Sequence, residues 1–415
     1  MRLEPFVPAL PWALPFAGML LAIAILPLAA KRFWQSNLRK LLVSAVLAAP
    51  VLALYLRARP TSLVDTAGEY ASFIVLLGGL FVISGGIHLE ADVPATPRTN
   101  AAFLGLGAIL ASFIGTTGAS MLLIRPLLQT NRERRHVAHT VVFFIFLVSN
   151  IGGCLTPLGD PPLFLGYLEG VPFAWTLRLL PHWAFTTAVL LAIYVVWDRR
   201  AHAAERRVDV LRDMSTVRPL RVAGKANAFL LLGVLVAVAL LRAPWREMAI
   251  IAFSAVSYAG TDPDLRKANR FTFQPILEVA ALFAGIFVTM LPALDILRAR
   301  GAELGVRAPW QFFWATGALS SFLDNAPTYL TFLALAQGLN LQPDVAGVPN
   351  AILAALSVGA VFMGANTYIG NGPNFMVRSI AEERGVRMPS FGGYMLYSGA
   401  VLIPVFLLVT LVFFR

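Results

Sequence analysis

Cysteine is almost missing from this chain. Cys154 is the single one in 415 residues, which excludes an intramolecular disulfide and any cluster of thiolate metal ligands. Charge is scarce as well. Asp, Glu, Lys and Arg make up 13% of the residues, about half of the roughly 25% usual in soluble domains. A hydrolase nucleophile elbow, a Walker phosphate loop and zinc-ligand spacing are also absent, so no soluble-type active site is indicated. Without a nucleotide-hydrolysing motif, any uphill work has to draw on an ion gradient.

What is abundant is apolar sequence. The chain is 58% hydrophobic with a mean hydropathy of +0.73, and several runs reach the roughly 18 to 20 residues needed to cross a bilayer. The expected class is an all-α polytopic membrane protein. Its net charge of +11 does not call for nucleic acid, because the basic residues sit in short loops between apolar runs, as the positive-inside rule expects. The first run, Pro11 to Ala30, lacks a small-residue cleavage site and reads as a first span rather than a removable signal.

Plain spans are expected at about 12–30, 41–56 and 70–89, and then the pattern changes. The run 101–128 is cut by GTTG, Gly115 to Gly118, into arms of roughly 13 residues, about 20 Å each and too short to cross a core of about 30 Å. It reads as a re-entrant hairpin. The run 137–165 is broken at SNIGGCLTPLGDPPLF, and a plain span at 175–197 follows. Residues 198–225 carry eight Lys/Arg and read as a cytoplasmic linker. The order then repeats. Plain spans at 226–241, 248–259 and 275–294 precede a hairpin over 312–336, a broken span over 351–377 and a last span at 394–414.

The repetition reaches individual residues. Shifting by 211 positions matches Gly153 to Gly364, Thr156 to Thr367, Gly159 to Gly370 and Pro162 to Pro373. A shift of 209 matches SFIGTTGA at Ser112 to SFLDNAPT at Ser321. Two pairs in one order indicate an internal duplication, with 1–197 and 226–415 as the halves. With the hairpins re-entrant, each half crosses five times, and an odd number makes the repeats inverted. Placing both termini outside puts 23 of the 33 Lys/Arg on the inner side, which agrees with the charge rule.

Paired Gly/Pro interruptions in the two halves of a membrane chain point to a transporter's binding site. The candidate residues there are oxygen-rich: Asp324 and Asn325 at the second tip, Thr116 and Thr117 at the first, Asp160, Thr156 and Asn150 in the first break, and Asn366, Thr367, Asn371 and Asn374 in the second. The plain alternative for the tip residues is helix capping, with Pro327 in a first turn. Asp160 has a weaker alternative, since a carboxylate at bilayer depth is costly and functional by default. Glu278 is a secondary candidate, and Glu69 is expected at a span entrance. Arg125 and Arg378 read as snorkelling side chains, with anion binding as the lesser option. His88, His136 and His182 lie near span ends as weak proton-relay candidates, and Cys154 as a small packed group.

With these residues in place, the chain resembles the ion transporter superfamily, in the branch of NhaD-type sodium/proton antiporters, arsenite permeases and citrate-transporter-like proteins. The likeness covers nearly the whole chain and is most specific at SNIGGCLTPLGDPP and SFLDNAP. It implies that Asp324, Asn325, Asp160, Asn150 and Thr156 fall where the family builds its ion or substrate site. The first tip departs from the pattern, being GTTG where carboxylate carriers of the superfamily show Ser-Asn-Thr, which counts against the usual dicarboxylate clamp. The expected function is a bacterial inner-membrane secondary transporter without a resident cofactor, exchanging sodium or another cation for protons at Asp324 and Asp160. An ion-coupled carrier of citrate or another small anion, or an arsenite exporter, stands as the alternative. Dimerisation is implied by the resemblance alone.

Overall fold

In the computed structural model of the protein, the described residues are 6–215 and 218–415. Residues 216 and 217, in the expected linker, and the first five residues lie outside them. A short 3-10 turn leads into α1 (Leu14–Ala29). A single turn, α2 (Lys31–Trp34), connects it to α3 (Asn37–Ala58) and α4 (Pro60–Ser84). Strand β1 (His88–Asp92) precedes the first hairpin, α5 (Pro97–Ile114) and α6 (Thr116–Thr130). The first broken span is α7 (Ala138–Leu147) and α8 (Pro161–Leu168), and α9 (Leu180–Ala203) follows it. Helix α10 (Arg207–Ser215) and strand β2 (Arg218–Ala223) lead to α11 (Ala226–Leu240), α12 (Trp245–Gly260), α13 (Pro263–Ala268) and α14 (Gln274–Arg300). The second hairpin is α15 (Pro309–Ser320) and α16 (Asn325–Gln337). The second broken span is α17 (Asn350–Met363) and α18 (Gly372–Glu383), and α19 (Phe391–Phe413) closes the chain.

Six helical stretches among the described residues are long and apolar enough to cross a membrane by themselves. They contain α1, α3, α4, α9, α14 and α19. Helices α11 and α12 are shorter, about 22 and 24 Å at 1.5 Å per residue. The architecture is that of an all-α polytopic membrane protein. Its interrupted helices are wrapped in protein: every residue of α7 from His139 to Leu147 is buried, as is every residue of α17 from Ala355 to Met363. Broken backbone at membrane depth needs that cover, since lipid offers it no hydrogen bonds.

Two expectations are corrected. The third plain span begins ten residues earlier than expected and ends five earlier, because Pro60 sits at its first position and Gly85–Gly86 ends it. Glu69 therefore lies inside α4 and not at an entrance. Asp65 and Glu69 hid the start of this helix by interrupting the apolar run. Beyond the helix end, Asn269 donates to the carbonyls of Gly85 and Ile87, and Asn227 to that of Gly86. The 198–225 stretch is also more than a tether. Helix α9 runs into it as far as Ala203, and β2 pairs antiparallel with β1, with Leu89 opposite Val222 and Glu90 opposite Arg221.

The plain spans α3, α4, α12 and α14 pack on one another through small residues. A Cβ on Gly79 of α4 would lie 2.5 Å from Ile250 of α12, and one on Gly285 of α14 would lie 2.6 Å from Ser44 of α3. Both pairs repeat at a shift of 206 positions. So does a polar pair: Lys40 Nζ meets Glu278 Oε1 at 2.6 Å, and Arg246 Nη2 donates to Ser72 at 3.3 Å.

Candidate functional site

Both breaks are held open by the same backbone device. Asn150, at φ −140° and ψ −82°, turns the chain out of α7, and Pro161 and Pro162 restart it as α8. Between them Gly153 and Gly159 touch. A Cβ on Gly159 would lie 2.2 Å from the carbonyl oxygen of Gly153, so no side chain fits. In the second break a Cβ on Gly370 would lie 2.5 Å from the carbonyl oxygen of Gly364.

Each break is then stapled to its hairpin. The Thr156 hydroxyl donates to the Ser112 carbonyl and accepts from Leu158 N–H, and the Thr367 hydroxyl donates to the Ser321 carbonyl and accepts from Ile369 N–H. Ser112 Oγ donates to the Gly152 carbonyl at 2.5 Å; Ser321 Oγ lies 3.2 Å from the Met363 carbonyl, with a shorter contact of 2.7 Å to the Gly317 carbonyl of its own helix. Ser112 and Ser321 open the two matched tip segments, but no local pattern announces that the Ser112 hydroxyl fastens the first break.

At the centre, four side chains from four separate elements converge. Asp160 Oδ1 accepts from Thr116 Oγ1 at 2.9 Å and from Asn371 Nδ2 at 3.2 Å, and its Oδ2 accepts from Asn325 Nδ2 at 2.5 Å. Asp160 is 1% exposed, and its three partners are buried too. Asp160 and Asn371 are matched positions of the two breaks, while Thr116 and Asn325 are matched positions of the two tips. Capping does not account for Asp160: it stands at the N-cap of α8, yet its carboxylate makes no cap bond. Asp324 does cap, accepting from Ala326 N–H at 3.0 Å at the start of α16.

A cavity of about 120 Å³ lies against this cluster. One wall is the two tips and the restarts of the breaks, with Thr116, Thr117, Asp324, Asn325 and Asn371. The other is apolar and comes from the plain spans α4 and α14, where Phe73 and Phe283 stack with ring centroids 4.7 Å apart. Behind the cluster, Asn150 donates to Asn374 Oδ1 at 2.7 Å, tying break to break, and Asn374 donates to the carbonyls of Gly364 and Thr367. The side-chain oxygens of Asn150, Asn325 and Asn366 are buried and accept no hydrogen bond.

The remaining candidates lie elsewhere. Asn366 donates to Ser321 Oγ, beside the second staple. Glu278 does not line the cavity and pairs with Lys40. His88 bonds Asn269, His136 contacts Glu205, and His182 packs on Phe413, so none of the three reaches the site. Arg378 lies over the Tyr368 ring and pairs with Glu382 at 2.8 Å. Cys154 is fully buried. One polar cluster had no sequence signal: Asp198, at 0% exposure, is held by Arg134 at 2.6 Å and His139 at 2.8 Å.

The profile of the family described as "Putative citrate transport" matches residues 7–414. The chain belongs to this family. That places it in the ion transporter superfamily. Two uncharacterised transporters, one from Mycobacterium bovis and one from Mycobacterium tuberculosis, are each 28% identical over 347 residues, covering 75% of this chain and 78% of the relative. The protein is therefore a multi-pass membrane transporter and not an enzyme.

Proposed function

We propose that this member of the citrate-transport family is a secondary active transporter that exchanges a cation, sodium foremost, for protons. The observation that carries this proposal is Asp160, a buried carboxylate whose three hydrogen-bond partners are all neutral. Burying a carboxylate without a cationic partner is costly, and a proton or a bound cation removes that cost. When the two compete for one group, release of one drives uptake of the other. Asp324 supplies a second carboxylate on the cavity wall, and the unpartnered oxygen of Asn325 suits the oxygen shell that hard cations take.

Alternating access would move the hairpins and broken helices as one unit against α3, α4, α12 and α14. The cavity, with one wall from each set, supports that division. The repeated pairs at shifts of 206, 209 and 211 support two inverted halves, 1–197 and 226–415, joined by a cytoplasmic 198–225 stretch. Both termini then lie outside a bacterial inner membrane.

The family description favours a second reading, an ion-coupled carrier of citrate or another small anion, and arsenite export belongs to the same alternative. Proteoliposomes with an imposed pH gradient separate these. Sodium, lithium, potassium, citrate and arsenite are added one at a time to wild type, Asp160→Asn and Asp324→Asn. Dissipation by sodium or lithium that either substitution stops supports exchange. A response to an anion alone replaces exchange with the anion carrier, and a steady conductance without substrate points to a channel.

A further inference from the structure

A second cavity, of about 560 Å³, lies away from the tips, between the ribbon β1–β2, the far end of α6 and the end of α18. Its size is within the roughly 300–1,000 Å³ of small-molecule sites. Three arginines line it: Arg125 from α6, Arg221 from β2, and Arg384 just past α18. Among the described residues none of the three guanidinium groups has a hydrogen-bond or ion-pair partner, although Arg221 stands across the ladder from Glu90. The Nη1 of Arg125 is buried without an acceptor, and the charges near it are those of Arg270, Arg384 and Glu383.

Two carboxylates, Glu90 and Asp92, share the lining, and Glu383 stands beside Arg384 in sequence. Glu90 meets His88 at 3.3 Å, Asp92 accepts from Gln129 at 3.3 Å, and Glu383 pairs with Arg270 at 2.7 Å. Snorkelling alone leaves one buried donor of Arg125 without an acceptor. Guanidinium groups offer forked donors that match carboxylate and phosphate oxygens, and here three of them outnumber the two carboxylates in the lining.

We propose that this cavity binds a small oxyanion carrying two or more negative charges, a carboxylate or phosphate free in solution, at a site separate from the tips. Such an anion bridges the hairpin arm, the end of the second broken span and the ribbon. Its occupancy therefore holds the first hairpin against β2. The proposal does not depend on which ion the tips carry.

The test uses the full-length purified protein in sodium-free buffer, with citrate and inorganic phosphate as probes and calorimetric titration and thermal unfolding as readouts. Wild type is compared with Arg125→Gln, Arg384→Gln and Asp324→Asn. The expected result is saturable binding of at least one probe with a rise in Tm, weakened tenfold or more by each arginine substitution and unchanged by Asp324→Asn. Arg384 is exposed, so its variant keeps the test valid if Arg125→Gln fails to fold. Binding that survives both arginine substitutions, or that disappears in Asp324→Asn, assigns the anion to the tips and overturns the proposal. So does the absence of any binding. Stabilisation seen only in nanodiscs containing phosphatidylglycerol, with neither free probe acting, makes a lipid headgroup the occupant and overturns the free-anion source.

Discussion

In the first hairpin and break the tip is Gly115–Thr116 and the acid stands in the break, at Asp160; in the second, the acid stands in the tip, at Asp324, and the break offers Asn371. The frames around them are alike: touching glycines, a threonine staple and a proline restart in each. Even the N-cap backbones agree, with φ −144° and ψ 142° at Asp160 and φ −151° and ψ 142° at Asn371. The tips do not agree. Gly115 takes φ +81°, which favours glycine, whereas Asp324 has an ordinary φ of −56° and caps its own helix. The two frames share a scaffold while the charge is placed differently in each. Of these two acids, Asp160 is the one whose carboxylate takes side-chain hydrogen bonds from both hairpin tips and from the opposite break.

The largest effect is expected from moving that charge. Asp160→Asn should lower cation-driven proton movement in proteoliposomes at least tenfold, because a neutral amide neither binds nor releases the proton. Adding Asn371→Asp to this variant puts the carboxylate back at the matched position, where Asn371 already reaches Asp160 Oδ1. Partial recovery in the double variant would mean that the two positions are functionally equivalent. No recovery would mean that the halves share a frame but not a role.

Next in size are the touching glycines. Gly159→Ala and Gly370→Ala should each destabilise the protein by about 3 kcal/mol, the upper range for forcing a methyl group into a packed interior. The added Cβ meets backbone in both cases, which cannot rotate away. Thermal unfolding of the two variants measures this directly. A tolerated alanine in one break only would show that the second device is looser than the first.

Smaller losses are expected at the staples. Thr156→Val and Thr367→Val keep shape but remove a hydroxyl that both donates and accepts, at about 1–3 kcal/mol each for the buried groups left unpaired. Equal losses would extend the likeness of the frames, and unequal ones would limit it to the glycines.

How much of this was legible in the sequence differs by region. The breaks and tips were placed within a few residues, because glycine, proline and asparagine inside apolar runs are local signals that need no partner. The helix ends at Pro60 and Ala203 were missed because charged residues there broke the apolar pattern without breaking the helix. The convergence of Asp160, Thr116, Asn325 and Asn371 could be suspected from their matched shifts, but which carboxylate caps and which is left for chemistry depends on side-chain direction. Asp198 with Arg134 and His139, and β1 with β2, join residues 59 or more positions apart, and no local pattern announces such pairs.

The smallest expected effect concerns the acid that the structure places outside the site. Glu278 is 41% exposed in its side chain and reaches Lys40 across the α3–α14 contact. In the matched contact of α4 with α12, Ser72 stands at the position of Glu278, and Arg246 takes its counter-charge from Glu247 on its own helix. A contact that keeps its geometry with a serine in place of the acid does not need a carboxylate across the interface to hold the helices. Glu278→Gln retains an acceptor for Lys40, and at this exposure the charge itself contributes about 1 kcal/mol or less. Stability should therefore fall by no more than that, and cation-driven proton movement should stay at the wild-type rate. If Glu278→Gln stopped transport, the division between a charged site at the tips and a merely structural contact among the plain spans would fail, and the proton path would have to include Glu278.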